Sequence, residues 1–197
     1  TLCATASTSV SRRRNERQKL LSVSPPQRTP SAAANSRGAT ACDAAMKLRQ
    51  NVFVYGTLKR GFYNYDAVLA RQPDAAFVAE GVTTERFPLF VDHYKIPYLV
   101  HRAGEGRRVS GELFAVGPEG LAALDALEGV DEGRYARREV DVDVGASSKR
   151  AWLYSINDAP LAGRALLPAY TAAIHAAYTP PGDGRDPALL RPGRLWL

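Results

Sequence analysis

The stretch VFVYGTLKRG, residues 52–61, is an apolar, β-branched run that stops at a glycine and continues into Thr57, two cations and a second glycine. A strand that ends in such a turn can leave backbone N–H groups free, and free amides can hold a carboxylate or a developing oxyanion. Gly56 to Gly61 also fits the first half of the phosphate-binding pattern GxxxxGK[ST], with the preceding strand that motif requires. The second half fails, because Phe62 and Tyr63 stand where the phosphate-reaching lysine and the magnesium-binding hydroxyl belong. A nucleotide site is disfavoured, and an ordinary tight turn is the plain alternative.

Glu128 is the second candidate. In PEGLAALDALEG, residues 118–129, Pro118 suits a first helical turn, Glu119 the N-terminal end and Gly129 a C-terminal stop. At 3.6 residues per turn, Leu121, Leu124 and Leu127 mark the apolar face and Glu128 points with them, whereas Asp125 lies further round. A carboxylate on the buried face at a helix C-terminus is disfavoured as an anion by desolvation and by the negative end of the dipole. Its pKa is expected to rise, which makes it a better proton acceptor near neutral pH. Two alternatives stay open: a buried salt bridge to an arginine of RYARRE, residues 134–139, or a frayed helix end that leaves Glu128 in solvent.

The surrounding segments must hold these groups in place. Val52 to Tyr55 form a short continuous apolar run suited to a buried strand. YNYDAVLAR, residues 63–71, suits a short helix, and the runs at 75–85, 88–92, 97–103 and 107–117 are β-branched, partly alternating and punctuated by Gly and Pro. After the central helix, ARREVDVDV at 136–144 alternates with period two and RAWLYSI at 150–156 is apolar enough for an inner strand. ALLPAYTAAIHAAY, residues 165–178, reads as a last helix interrupted by Pro168, and the chain beyond Tyr178 as irregular. Runs of strands with one early, one central and one late helix predict an α+β domain: a compact, mostly antiparallel β-barrel with a few flanking helices. A doubly wound parallel sheet would need helices between nearly all strands, and the spacing does not provide them.

Composition divides the chain of 197 residues into a leader, a domain and a tail, expected at 1–45, 46–180 and 181–197. The leader is rich in Ser, Ala, Arg and Pro and is expected to be disordered. Its acid-poor character resembles a plastid or mitochondrial transit segment, while Met46, the only methionine, offers a second reading in which everything upstream is no part of the native protein. Without a transit segment the expected compartment is the cytoplasm. The net charge of +6 suggests nucleic acid at first sight, but the first 45 residues hold seven of the 26 cations and two of the 20 acids, leaving 19 against 18. A domain that tracks phosphates carries its excess charge on the fold, so nucleic-acid binding is not expected. Cys3 and Cys42 both lie in the leader, and His93, His101 and His175 share no short ligand spacing, so no metal site is expected. No apolar stretch approaches the ~20 residues needed to cross a bilayer, so no membrane partner is expected.

FVYGTLKRG, FPLFVDHYKIPYLV, VSGELFAV and LDALEGVDEGRY, in this order and at this spacing, resemble the γ-glutamylcyclotransferase superfamily, most closely its γ-glutamylamine cyclotransferase branch and avirulence-induced plant relatives. The match covers about residues 51–158. The resemblance implies a compact β-barrel that converts a small-molecule γ-glutamyl compound, such as γ-glutamyl-ε-lysine, to 5-oxoproline and releases the amine without metal or cofactor. It further implies that Tyr55, Gly56, Thr57 and Leu58 grip the substrate, that Glu128 is the catalytic base and that Tyr135 belongs to the site. Tyr135 is equally readable as a packing residue at the start of a strand. A non-catalytic ligand-binding or interaction module on the same fold is the alternative function, and retention of Glu128 argues against it. Lys59 and Arg60 are expected to be a solvated pair, with attraction for an anionic substrate as the other reading.

Overall fold

The computed structural model describes residues 48–180; the expected leader (1–45) and tail (181–197) lie outside the described residues. Strand β1 (Gln50–Val54) pairs antiparallel with β5 (Arg107–Val116), and β5 pairs antiparallel with β2 (Ala75–Phe87). Strand β2 then meets β6 (Ala136–Val144), which pairs antiparallel with β7 (Ser147–Ser155) over its whole length. The circle closes where Val52 of β1 meets Trp152 of β7 in parallel, giving a barrel in the order β1, β5, β2, β6, β7. The barrel is thus antiparallel at four seams and parallel at the fifth, a mixed sheet and otherwise as the sequence predicts. Strands β3 (Leu89–Val91) and β4 (Pro97–Leu99) form a separate two-stranded sheet at one end.

The apolar run in β1 is continuous because both of its faces are buried. Phe53 and Tyr55 point into the barrel with Val109, Leu113, Val140, Val142 and Leu153. Val52 and Val54 point outward and pack, with Phe114 and Val116, under Leu121 and Leu124 of helix α2 (Pro118–Glu128). Burying a leucine such as Leu124 contributes roughly 1.5–3 kcal/mol, so this outer layer fixes the helix on the barrel wall. Helix α1 (Tyr63–Ala67) follows the β1 turn, and a single 3₁₀ turn (Leu69–Arg71) leads to β2.

The late helix is much shorter than expected, running only as α3 (Ala172–His175). The reason lies upstream. Leu167 donates its N–H to the Leu89 carbonyl at 2.7 Å, and the Ser110 N–H reaches the Pro168 carbonyl at 2.8 Å. Residues 167–169 are therefore tied to the barrel, where the chain bends at Pro168 and Ala169 bridges to Ser110, and a helix begins only once Thr171 caps it. Among the described residues, no helix is long and apolar enough to cross a membrane.

Candidate active site

The turn after β1 is built by its side chains and faces the site with its backbone. Tyr55, buried, donates its hydroxyl to the Tyr154 carbonyl at 2.9 Å, and burial raises its pKa so that it stays a neutral phenol. The Lys59 N–H closes on the Gly56 carbonyl at 3.1 Å. Thr57 ties the turn to α1: its Oγ1 accepts from Asn64 Nδ2 at 2.8 Å, and its carbonyl accepts from the Asn64 and Tyr65 N–H groups at 3.0 and 3.1 Å. Leu58 is buried in the layer beneath α2. Among the described residues, the amides of Gly56, Thr57 and Leu58 have no acceptor. Gly56 is required by close approach, since a β-carbon there would lie 2.5 Å from Pro97 Cγ.

Glu128 ends helix α2, where Gly129 takes the left-handed conformation at φ 63° and the Val130 N–H returns to the Asp125 carbonyl at 3.0 Å. Its side chain lines a cavity of about 300 Å³ together with the Tyr55–Leu58 turn. The residue keeps some surface exposure through the open cavity, yet protein encloses its carboxyl enough that desolvation raises the pKa to about 7, against the opposing pull of Arg134. The salt bridge that sequence alone left open for Glu128 falls instead on Asp125. Arg137 Nη1 lies 2.5 Å from Asp125 Oδ2, and the Tyr154 hydroxyl donates to Oδ1 at 2.7 Å. Asp125 is thus occupied in holding α2 to β6 and β7, and Glu128 has no ion-pair partner among the described residues.

Tyr135 lines the same cavity, half-buried, stacked on Tyr98 with ring centroids 6.2 Å apart and planes 4° from parallel. Its hydroxyl donates a long hydrogen bond to the Pro97 carbonyl at 3.4 Å. Burial raises its pKa, with Tyr55, Tyr98 and the Glu128 charge adding to the effect. Tyr55 feels Glu128 as well, after the larger influence of burial, so the carboxyl stands within electrostatic reach of both phenols. All six residues singled out from sequence, Tyr55, Gly56, Thr57, Leu58, Glu128 and Tyr135, line one cavity.

Neither Lys59 nor Arg60 lines the cavity: Arg60 is exposed to solvent, as expected, whereas Lys59 is half-buried. Lys59 Nζ donates to the Tyr170 carbonyl at 2.7 Å, and burial lowers its pKa. The Arg60 guanidinium pairs with Glu112 at 3.3 Å and stacks 3.5 Å over Phe77. Sequence reading missed Arg134, Pro97, Tyr98 and Tyr178, all of which line the cavity. Tyr178 arrives with α3, whose His175 stacks on it at 5.2 Å.

A small mixed barrel with an elevated carboxyl facing free turn amides defines a class of site suited to proton transfer beside an anionic group. The family model for "Gamma-glutamyl cyclotransferase, AIG2-like" matches residues 52–171, and the chain belongs to that family. It is 46% identical over 79 residues to a human γ-glutamylaminecyclotransferase and 40% identical over 96 residues to the rat one. Those matches cover 39% and 48% of this chain, and 52% and 64% of the human and rat proteins, so the chain spans about half to two thirds of these relatives. The crystal structure of a mouse AIG2-like protein superimposes with a TM-score of 0.62 at 31% identity, covering 70% of this chain and 99% of the mouse chain.

Proposed function

We propose that this protein cyclises a γ-glutamyl group to 5-oxoproline and releases the attached amine, in the manner of a γ-glutamylamine cyclotransferase. The observation that carries the reading is Glu128, a carboxyl with a pKa raised to about 7 and no ion-pair partner among the described residues, sharing one cavity with the amides of Gly56, Thr57 and Leu58, which have no acceptor there. The names of the human and rat relatives support the choice of a γ-glutamylamine.

In this mechanism the Glu128 carboxylate takes one proton from the substrate α-ammonium. The freed lone pair attacks the γ-carbonyl carbon and closes a five-membered ring, so the bond forms within one molecule and positioning supplies much of the acceleration. Negative charge gathers on the carbonyl oxygen. The turn amides hold the α-carboxylate or that oxyanion. Collapse breaks the bond to the amine nitrogen, which receives the proton Glu128 holds; the regenerated carboxylate takes the surplus proton from the ring nitrogen and passes it to the released amine or to solvent, which restores the base. Tyr135 and Tyr55, neutral through burial, offer hydroxyls at the wall and no competing charge.

The test is release of 5-oxoproline from a panel of γ-glutamyl compounds by the full chain. Turnover that is abolished by Glu128→Gln supports the reading, whereas binding without 5-oxoproline from any of them would assign the fold to ligand binding alone.

A further inference from the structure

Two charged side chains line the cavity among the described residues, Glu128 and Arg134, and the mechanism above uses only the first. Arg134 sits in a fixed position. Its N–H bonds the Gly129 carbonyl at 3.0 Å, its Nε pairs with Glu132 at 2.8 Å, and its side chain is 28% exposed. The guanidinium lies flat against Gly129, where a β-carbon would come 2.1 Å from Nε and 2.5 Å from Cζ and Nη2. Glycine at 129 therefore serves two purposes: the left-handed helix end and the berth for this cation. Glu132 engages Nε, and among the described residues Nη1 and Nη2 have no acceptor.

A planar fork with free terminal donors, held at the wall of a cavity whose lining includes Leu127, Ile96 and several tyrosines, is matched to a carboxylate. With the turn amides taken as the partner of the α-carboxylate and Glu128 as that of the ammonium, the γ-glutamyl end of the substrate leaves Arg134 unengaged. We propose that Arg134 is a specificity-determining residue that reads a second carboxylate, carried by the departing amine. The inference rests on the cyclotransferase reading for the orientation of the substrate.

The test uses γ-glutamylalanine and γ-glutamylethylamine, which differ by that carboxylate alone. The wild-type kcat/KM is expected to favour γ-glutamylalanine by on the order of tenfold, the factor that 1.4 kcal/mol of differential binding gives. Arg134→Leu also removes the pull that opposes the rise of the Glu128 pKa, so both compounds should lose rate near neutral pH, but the ratio should come close to one because the alanine conjugate loses more, and Arg134→Lys should keep part of the preference. A ratio unchanged in Arg134→Leu overturns the proposal, whether or not both rates fall. Calorimetric binding of both compounds to Glu128→Gln, with and without Arg134→Leu, separates this inference from the reaction. If wild type releases no 5-oxoproline from either compound or from any other member of the γ-glutamyl panel, the cyclotransferase reading fails, while a binding preference that Arg134→Leu removes still upholds the carboxylate subsite and equal binding sinks it.

Discussion

The Tyr154 hydroxyl donates to Asp125 Oδ1 at 2.7 Å, and the Tyr154 carbonyl accepts from the Tyr55 hydroxyl at 2.9 Å. One strand residue thereby joins the last turn of α2 to the barrel interior. With Arg137 on its other oxygen, Asp125 fixes the helix end from which Glu128 projects. Asp125→Asn keeps the shape but weakens a partly buried ion pair and a charged hydrogen bond, at a cost of about 1–3 kcal/mol. The expected result is a lower thermal midpoint with 5-oxoproline turnover retained at reduced kcat and an unmoved pH profile. A pH profile displaced as far as that of a Glu128 variant would give Asp125 the base's role.

Gly56→Val tests the turn. A β-carbon at 56 would lie 2.5 Å from Pro97 Cγ, so the branched side chain must displace the Pro97 ring or shift the turn away from the cavity. Either movement changes the spacing between the free amides and Glu128. Substrate binding measured by calorimetry should be lost while circular dichroism still reports the barrel. Unchanged binding would mean that the amides of residues 56–58 hold no part of the ligand.

Much of this site was legible because the residues that form it are local in sequence and break a pattern. Gly56 interrupts an apolar run, and Glu128 puts a charge on a leucine stripe, so each stands out against what the element alone requires. The continuous run in β1 signalled burial on both faces, which the barrel interior and α2 supply. Arg134 carried a weaker signal: the sequence offers it only as one of three arginines in RYARRE that could meet Glu128, and the Gly129 berth and the cavity distinguish it. The short α3 was hidden for a different reason. The pairing of Pro168 with Ser110 joins positions 58 residues apart, and propensity in the segment says nothing of that partner. Likewise Asp125 and Glu128 both had arginines within reach in sequence, and only the placement of α2 beside Arg137 of β6 decides that Asp125 takes the salt bridge.

His175 couples the C-terminal segment to acid. Its Nε2 accepts the Tyr63 N–H at 3.1 Å, and its Nδ1 lies 3.2 Å from the Tyr170 hydroxyl, which itself donates to the Lys95 carbonyl at 2.9 Å. Only the neutral ring, with its proton on Nδ1, satisfies all three, and burial lowers the pKa below the ordinary 6.5. A depressed folded pKa means that the contribution to stability is complete above about 6.5 and is lost as pH falls below it toward the folded value. His175→Phe preserves the stack on Phe62 and removes the acceptor. It should cost about 1 kcal/mol at pH 7.5 and flatten the fall in thermal midpoint between about pH 6.5 and pH 5. An equally steep fall in the variant would place the acid sensitivity elsewhere.

Glu128→Gln separates a working base from a buried carboxyl. The amide keeps volume and shape but accepts no proton, so turnover should fall by roughly 10²–10⁴-fold, the range for general acid–base catalysis, with substrate affinity much less affected. In the wild type, kcat/KM should rise with pH through about 7, since the base acts as the carboxylate and desolvation holds its pKa there. The same shift has a cost in stability. A carboxyl whose folded pKa lies above its ordinary 4.5 contributes fully below 4.5, and that contribution is lost as pH climbs toward about 7. Glutamine never ionises, so above pH 7 the variant should be more stable than wild type by on the order of 1–3 kcal/mol, and the two should converge near pH 4.5. Denaturant unfolding at pH 4.5 and pH 8 measures this difference directly. An inactive variant with no gain in stability at pH 8 would mean that solvent reaches Glu128 freely, and the elevated base would then have to be abandoned even though the residue is essential.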